Sequence, residues 1–392
     1  MPTLRLYIPF VFFTMLCLPM ISGEDLPLSQ AGINQLKINQ IQVLGSHNSY
    51  HKRANKPVLN FLKTLSFALP SEFNPKDLDY EHEPLNIQLD SFHLRSFEID
   101  IYADPKGGQY YKRKKNNLLG RPKDSHIEAL KQPGFKVFHI PDVDYNSRYL
   151  TLISMLKDFK QWSDAHPDHL PIYILVESKE ETVADKLHHL HFTKSIPFTP
   201  EICNDLDTEI KTVFGENLEK IITPDKVRGT FATLNEAVLA DNWPTVGESR
   251  GKFIFVLMGP ATSGYLADHP SLKGRAMFTF SDIGKPEAAI IKYEYPVSEQ
   301  ALITDAVKKG YIIRTRADEP NHQNRSCDYS QMNAAFVSGA QIISTDYYRP
   351  DPRYKKKPRK FKNYSCKFPD EVLGRINPVN ASDQESLGIV SE

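Results

Sequence analysis

Short apolar runs recur along the chain, and polar residues follow each run at its end. The runs are rich in Val, Ile, Phe and Tyr, which is typical of β-strands. They lie at 41–44, 97–102, 136–138, 172–176, 253–258, 276–280 (or else 288–291), 311–313 and 341–343. This pattern predicts eight strands.

Helix-like stretches separate several of the predicted strands. Between 150 and 165, apolar residues recur at every third position, which indicates an amphipathic helix. Because strands that alternate with helices imply a parallel sheet, eight such units predict an α/β fold with a closed (β/α)8 TIM barrel. In that architecture the chemistry gathers at the C-terminal ends of the strands, which is where the polar residues of this chain lie.

The chain is longer than the barrel alone requires. A barrel of this kind needs about 250 residues, so insertions are expected at 53–90, 103–134 and 347–380. We predict a signal peptide at 1–23, a catalytic barrel at 24–348 and a basic C-terminal tail at 349–392.

The first 23 residues have the features of an export signal. Arg5 is their only charged residue, 7–20 is nearly all apolar, and small residues occupy 22 and 23. The alternative is a membrane anchor, but the apolar run is shorter than the roughly 20 residues that a spanning helix needs. We therefore expect a secreted protein, extracellular or periplasmic after cleavage.

Composition narrows the class of protein further. The 392 residues include 48 basic and 48 acidic ones, and this balance argues against a protein that wraps nucleic acid. Four cysteines are too few for a disulfide scaffold of this size. Cys327 with Cys366 is the pair we expect, although spacing alone leaves the connectivity open.

A group of oxygen donors follows three of the predicted strands. Glu98 and Asp100 lie two apart on one strand, so both carboxylates project to the same face. Asn48 and Glu177 follow the first and fourth runs on the same rim. Such hard oxygen donors suit Ca²⁺ better than Zn²⁺, whereas the alternative is a solvated pair of acids on an edge strand.

Two histidines and two cations lie on the same predicted rim. His47 and His139 end the first and third runs and can serve as base and acid near neutral pH. Lys179 and Arg316 can bind a phosphate oxygen, or else form salt bridges with the acidic rim. The motifs of a serine nucleophile elbow and of a phosphate-binding loop are absent from the sequence, so we expect no covalent enzyme intermediate.

These rim residues stand in an ordered series of short motifs. The series reads GSHNSY at 45–50, FEIDIY at 97–102, VFH at 137–139 and LVESK at 175–179, followed by VRGT at 227–230, WP at 243–244, GKF at 251–253 and AQIISTD at 340–346. It resembles the calcium-dependent phosphatidylinositol-specific phospholipase C family, and most of all its secreted single-domain members. The resemblance covers most of residues 37–348.

The resemblance implies a (β/α)8 barrel and a set of site residues. It implies one Ca²⁺ held by Asn48, Glu98, Asp100 and Glu177. His47 would act on the side of the inositol 2-hydroxyl, and His139 would be the general acid for the diacylglycerol oxygen. The hydroxyl of the lipid would then attack its own phosphate, giving diacylglycerol and an inositol cyclic phosphate.

The sequence departs from the family at the loop that reads the lipid headgroup. The corresponding stretch is RTRADE at 314–319, in which Arg316 matches the arginine of the family. Its flanking acids favour unphosphorylated phosphatidylinositol as the substrate. We expect a monomer that contacts phosphatidylinositol in membranes transiently, with no nucleic-acid partner.

Two other functions stay open at this point. Glycerophosphodiester phosphodiesterases and sphingomyelinases D are similar in their barrel, paired acids and two histidines, but the former usually carry arginine where this chain has Asn48. The third hypothesis is a non-catalytic lipid-binding barrel, which fold alone does not exclude.

Two basic stretches bear on contact with a membrane. The first is 112–115, which follows two tyrosines, and the second is 353–362, in which seven of ten residues are basic. Because basic residues beside aromatic ones can dock on anionic lipid, we predict a membrane contact at 112–115. For 353–362, whose distance from the rim the sequence does not give, we predict a solvated tail.

Overall fold

Eight parallel strands form a nearly closed barrel in the computed structural model of the chain. The structure describes residues 29–64, 75–114, 122–180, 192–320, 323–369, 372–381 and 388–389, so the predicted signal peptide at 1–23 lies outside the described residues. The barrel strands are β1 Ile41–Ser46, β2 Ser96–Tyr102, β4 Ile172–Ser178, β5 Phe253–Met258, β6 Phe278–Thr279, β7 Ile290–Lys292, β8 Ile312–Arg316 and β9 Ile342–Thr345. The prediction of a (β/α)8 barrel is therefore confirmed.

The strands follow one another around the barrel as β6, β5, β4, β2, β1, β9, β8 and β7. A parallel bridge between Phe280 and Ile290 links the two ends of this series. All but one of the barrel-strand residues are buried or nearly so, because helices cover the outside and side chains fill the inside. Lys292, at the end of β7, is the exposed exception.

Two of the eight predicted strands differ from the structure. The run at 136–138 forms only the two-residue strand β3 Lys136–Val137, which pairs antiparallel with the end of β2 and is no part of the parallel barrel. The sixth strand was expected at either 276–280 or 288–291, but both stretches contribute strands, β6 and β7. The total of eight is right because one wrong strand offsets one missing strand.

Helices occupy most connections between the strands. The α-helices are Gln30–Gln35, Lys56–Thr64, Leu85–Asp90, Leu152–Ala165, Pro200–Phe214, Pro224–Arg228, Leu234–Leu239, Val246–Ser249, Ala261–Leu266, Gln300–Lys308, Gln323–Ser326 and Ser330–Ser338, and 3₁₀ turns are Ile38–Gln40, Glu128–Lys131 and Pro270–Leu272. The helix predicted at 150–165 begins two residues later, because the Thr151 hydroxyl accepts a hydrogen bond from the Ser154 N–H and caps the first turn. Its apolar face, which includes Leu156 and Phe159, is buried in the core.

The segment after the last barrel strand packs against the barrel, and the solvated tail predicted for 353–362 is only a part of it. Strand β10 Gly374–Ile376 pairs antiparallel with the start of β1, and β11 Gly388–Ile389 pairs with β10. Phe361 and Phe368 are 1% exposed. Within 353–362, residues 355–360 are exposed and Phe361 is buried, so this basic stretch is a surface segment held by one of its aromatic residues.

The cysteines form no disulfide in the described chain. Cys203 and Cys366 are buried free thiols, and Cys327 is an exposed one, so the expected pairing of Cys327 with Cys366 is wrong.

Within the described ranges, none of the helices combines the length and the apolar character that crossing a bilayer requires.

Candidate active site and metal centre

Three carboxylates meet at the C-terminal ends of β2 and β4. The two strands pair in parallel with Asp100 opposite Glu177, and Glu98 lies on the same face as Asp100 two residues earlier. Each of the three residues offers a carboxylate oxygen, and these oxygens lie within 4.8 Å of one another. The register of two strands thus assembles the acidic cluster that the sequence predicted.

Asp100 is the member of this cluster whose carboxylate oxygens accept no hydrogen bond from the described residues. Both of its carboxylate oxygens are buried, and neither has a hydrogen-bond partner among the described residues. Burial raises the pKa of Asp100 above its ordinary value, since a charge away from water is costly unless a cation compensates it. Unpartnered, closely spaced carboxylate oxygens are a donor set that fits Ca²⁺.

Two cations already lie against the cluster. The Lys179 ammonium is 2.8 Å from a Glu177 oxygen and 3.6 Å from an Asp100 oxygen. The Arg314 guanidinium, which is buried inside the barrel, lies 2.7 Å from Glu98 Oε2 at the other end of the cluster. Burial lowers the pKa of Lys179, but the Asp100 and Glu177 charges raise it by more, so Lys179 stays protonated.

His47 lies beside this cluster and is held by a second carboxylate. Strands β1 and β9 pair with Ser46 opposite Thr345, which makes His47 and Asp346 neighbours. The His47 Nδ1 atom is 2.9 Å from Asp346 Oδ1, and its Nε2 atom is 3.4 Å from Glu98 Oε1. The imidazole is therefore fixed through one nitrogen and presents the other to the acidic cluster.

The carboxylates around His47 make it a stronger base than a free imidazole. Burial and the Arg316 charge lower the pKa of His47, but the Asp346 and Glu98 carboxylates raise it by more, so the pKa lies above 6.5. Burial also raises the pKa of Asp346, yet the His47 and Arg316 charges lower it by more. Asp346 is thus ionised and can orient the imidazole.

Asn48 follows His47 in a backbone conformation with φ of 50°, which asparagine tolerates better than most residues. Its amide Nδ2 donates to the Tyr80 hydroxyl at 3.0 Å, and the Tyr50 hydroxyl lies 3.5 Å from its Oδ1 atom. The Asp100 charge is among the causes that raise the pKa of Tyr50, after burial, so Tyr50 lies near both Asn48 and the acidic cluster.

His139 is held by a carboxylate that it shares with another histidine. The Asp144 Oδ2 atom lies 2.9 Å from His139 Nδ1 and 2.7 Å from His51 Nε2. Burial raises the pKa of Asp144, but its two histidine neighbours lower it by more, to about 2. Asp144 is therefore an ionised acceptor that fixes the orientation of His139.

Arg316 forms ion pairs with acidic residues at the same rim of the barrel. Its guanidinium lies 3.1 Å from Asp346 and 3.0 Å from Glu319. Both Arg316 and Lys179 thus form the salt bridges that were the alternative to phosphate binding.

The sequence model of the family described as phosphoinositide phospholipase C, Ca²⁺-dependent, matches residues 36–378. The chain belongs to this family. As a member of it, the protein is an enzyme, a phosphoric diester hydrolase of the phospholipase C type.

Solved structures of phospholipases C have the same fold. A calcium-dependent phosphoinositol-specific phospholipase C from Pseudomonas aligns with a TM-score of 0.51 and 16% identity, over 88% of this chain and 96% of that one. A second crystal form of it aligns with a TM-score of 0.50. A Ca²⁺-dependent phosphatidylinositol-specific phospholipase C from Streptomyces antibioticus gives 0.48 at 15% identity, over 80% and 95% of the chains. No curated protein matches the sequence.

Several residues that complete the site of this phospholipase C were not assigned from the sequence. Arg314 could have been found, because it alternates with Arg316 on β8 and faces the same side. Asp144 and Asp346 lie near the ends of predicted strands, where the sequence allows them to support the site but does not assign them a partner. The contacts of Asp346 with His47 and of His51 with Asp144 join distant segments and follow only from the fold.

Proposed function

We propose that this enzyme cleaves phosphatidylinositol at the bond between phosphorus and the diacylglycerol oxygen, giving diacylglycerol and an inositol cyclic phosphate. The proposal goes beyond the phosphodiesterase activity of the family in naming the substrate, the two histidines and the metal ligands. Its main support is the acidic cluster of Glu98, Asp100 and Glu177 with His47 at its edge.

Asn48, Glu98, Asp100 and Glu177 would hold the calcium ion. When bound, Ca²⁺ lowers the pKa of the attacking hydroxyl and neutralises charge on the phosphate. The observation that supports a Ca²⁺ site is that both carboxylate oxygens of Asp100 are buried without a hydrogen-bond partner among the described residues.

The two histidines exchange protons with the substrate. His47 accepts the proton of the inositol 2-hydroxyl through the nitrogen that faces Glu98, while Asp346 holds its other nitrogen. The 2-oxygen forms a bond to phosphorus as the bond from phosphorus to the diacylglycerol oxygen breaks. His139, oriented by Asp144, donates a proton to that leaving oxygen.

The charges of the site suit a phosphodiester. The three carboxylates and the cations Lys179 and Arg314 together leave one net negative charge. A divalent ion would change this to one net positive charge, which complements the single negative charge of the substrate phosphate. Electrostatic stabilisation of this kind is usually a large part of catalysis.

The headgroup is proposed to be unphosphorylated inositol. Arg316, the cation that the family resemblance offers for the headgroup, is bound by Asp346 and Glu319. Asp318 also lies 3.9 Å from the Arg316 guanidinium, which adds to the acidic surroundings of this cation.

Vesicles of phosphatidylinositol provide the test, with Ca²⁺ or with excess chelator. We expect diacylglycerol and cyclic inositol phosphate with Ca²⁺ and a loss of at least about 10²-fold with chelator. His47→Ala should lower turnover by about 10²–10⁴-fold. His269→Ala is the matched control, since its Nδ1 atom contacts only the Lys273 carbonyl oxygen in the β5–β6 connection.

Two outcomes would contradict the proposal. Turnover that persists with chelator would contradict the role of the metal, and release of free inositol with phosphatidic acid would show that the other phosphoester bond is cleaved.

We also propose that residues 1–23 direct export and are then removed. The sequence pattern supports this. Amino-terminal sequencing of the protein recovered from outside the cell should begin near Glu24, and retention of residue 1 would contradict it.

A further inference from the structure

The basic loop at 353–362 lies on the same side of the barrel as the active site. It begins eight residues after Thr345, where β9 ends beside His47. Seven of its ten residues are basic, and those from Lys355 to Lys357 are exposed, as are Arg359 and Lys360.

Two cations of this loop anchor it to the barrel. The Arg353 guanidinium lies 2.6 Å from Asp79 Oδ1 and donates to the Asp79 carbonyl oxygen at 2.7 Å. The Lys360 ammonium lies 2.7 Å from Asp79 Oδ2. Phe361 is buried, and the Arg353 guanidinium lies 4.0 Å from the centre of its ring. The loop is therefore a fixed surface feature.

The anchoring residue adjoins the catalytic centre. Asp79 precedes Tyr80, whose hydroxyl accepts a hydrogen bond from the Asn48 amide and whose ring stacks on His51 at 4.4 Å. His51 in turn shares the Asp144 carboxylate with His139. The residue that anchors the loop is thus adjacent in sequence to Tyr80, which contacts the proposed metal ligand Asn48. Tyr80 also stacks on His51, which shares a carboxylate with the proposed acid His139.

The remaining cations of the loop lack acidic partners. Among the residues that the structure describes, Lys355, Lys356, Lys357 and Arg359 form no ion pair with a carboxylate. The Lys355 ammonium lies over the Tyr354 ring at 5.8 Å. Exposed, unpaired cations beside an aromatic ring have the chemistry of a surface that contacts lipid headgroups.

A smaller basic group lies in the segment that packs beside His139. Lys112 and Lys114 are exposed, and Tyr110 close by packs on Phe138 with ring centres 5.2 Å apart. Phe138 immediately precedes His139. Exposed cations therefore lie near the site in two separate segments of the chain.

We propose that the loop at 353–362 is a docking surface for anionic phospholipid, which holds the mouth of the barrel against the membrane. This inference deepens the proposed function and rests on it for the direction in which substrate enters. A membrane is favoured over nucleic acid because the loop adjoins the opening through which a lipid must pass, while the chain as a whole carries no net charge.

Binding to vesicles that contain no substrate tests the docking surface alone. The variant carries Lys355→Gln, Lys356→Gln, Lys357→Gln and Arg359→Gln. Its affinity for vesicles of phosphatidylserine and phosphatidylcholine should fall by about 10²–10³-fold in 0.1 M salt. Binding to pure phosphatidylcholine should be weak for both proteins.

The matched control replaces four lysines that lie outside the loop. Lys157, Lys211, Lys273 and Lys308 lie on helices and turns of the barrel exterior and form no ion pair among the described residues. Their change to glutamine removes the same charge and should leave vesicle affinity within about threefold of wild type. Equal loss in both variants would overturn the proposal, because it would reflect net charge alone.

Activity on two substrates separates this inference from the proposed function. The loop variant should lose turnover of phosphatidylinositol in anionic vesicles and keep its turnover of a water-soluble inositol phosphodiester. Loss of vesicle binding without any turnover by wild type would support docking and reject the proposed function. Undiminished vesicle binding by the loop variant, or wild-type binding to RNA in preference to vesicles, would overturn docking.

Discussion

At the scale of single residues, each of the two proposed catalytic histidines is oriented by a carboxylate. Asp346 contacts His47 at 2.9 Å, and Asp144 contacts His139 at the same distance. Each carboxylate accepts from the Nδ1 atom, which leaves Nε2 of the ring to face the substrate. The histidines were predictable because they end apolar runs, but their partners are brought near by folding.

Asp346→Asn should lower kcat by roughly 10²–10⁴-fold with little change in KM, because the amide cannot hold the reactive tautomer of His47. In a His47→Ala background the same change should cost less than about threefold, since the carboxylate acts through that ring. Steady-state kinetics of the four proteins measure this coupling. Additive losses would show that Asp346 acts independently of His47.

Glu209 is a buried acid away from the active site. Its Oε1 atom accepts from the Phe135 N–H at 2.9 Å, and its Oε2 atom is buried without a hydrogen-bond partner among the described residues. Burial raises the pKa of Glu209 from 4.5 to about 7, although the Phe135 N–H and the Lys136 charge oppose the shift.

The folded state consequently holds the Glu209 proton more tightly than the unfolded state. Stability should fall as pH rises from about 4.5 to about 7, by up to about 3 kcal/mol. Glu209→Gln should remove this pH dependence. The free energy of unfolding of the variant relative to that of wild type should therefore be higher at pH 8 than at pH 4.5. Chemical unfolding at both pH values, with the exposed Glu216→Gln as control, measures it. An equal effect at the two pH values would refute the raised pKa.

At the scale of elements, strand β10 pairs with the first residues of β1. Ile376, which is 1% exposed, lies opposite Ile41 in an antiparallel pair. Ile376→Ala should lower the free energy of unfolding by about 2–5 kcal/mol, because it leaves a cavity at this contact. Ile283→Ala, at a residue that is 39% exposed, should change it by less than about 0.5 kcal/mol. Similar values for both variants would mean that this segment does not stabilise the barrel.

The sequence predicted the elements better than their pairing. Long apolar runs such as those of β4 and β5 are readily predicted as strands, because strands covered on both faces need continuous apolar side chains. A run of three residues carries no information on strand direction, which is why β3 was mistaken for a barrel strand. Arg314 contacts Glu98 across 216 residues of sequence, and such a contact follows only from barrel closure.

At the scale of the whole molecule, basic and acidic residues are equal in number but unevenly distributed over the structure. The chain has 48 basic and 48 acidic residues. The structure gathers acids inside the barrel mouth and unpaired cations on the loop at 353–362 outside it. Because exposed charges act over about 10 Å in 0.1 M salt, local surface charge and not net charge governs the approach to a membrane.

The central claim is that the carboxylates of β2 and β4 bind Ca²⁺, and titration calorimetry tests it most directly. Wild-type protein should bind one Ca²⁺ per chain, and Asp100→Asn should weaken that binding by at least about tenfold. His139→Ala and the exposed Asp305→Asn should bind Ca²⁺ as wild type does. Equal affinity of Asp100→Asn and wild type, or no binding by wild type, would contradict the account.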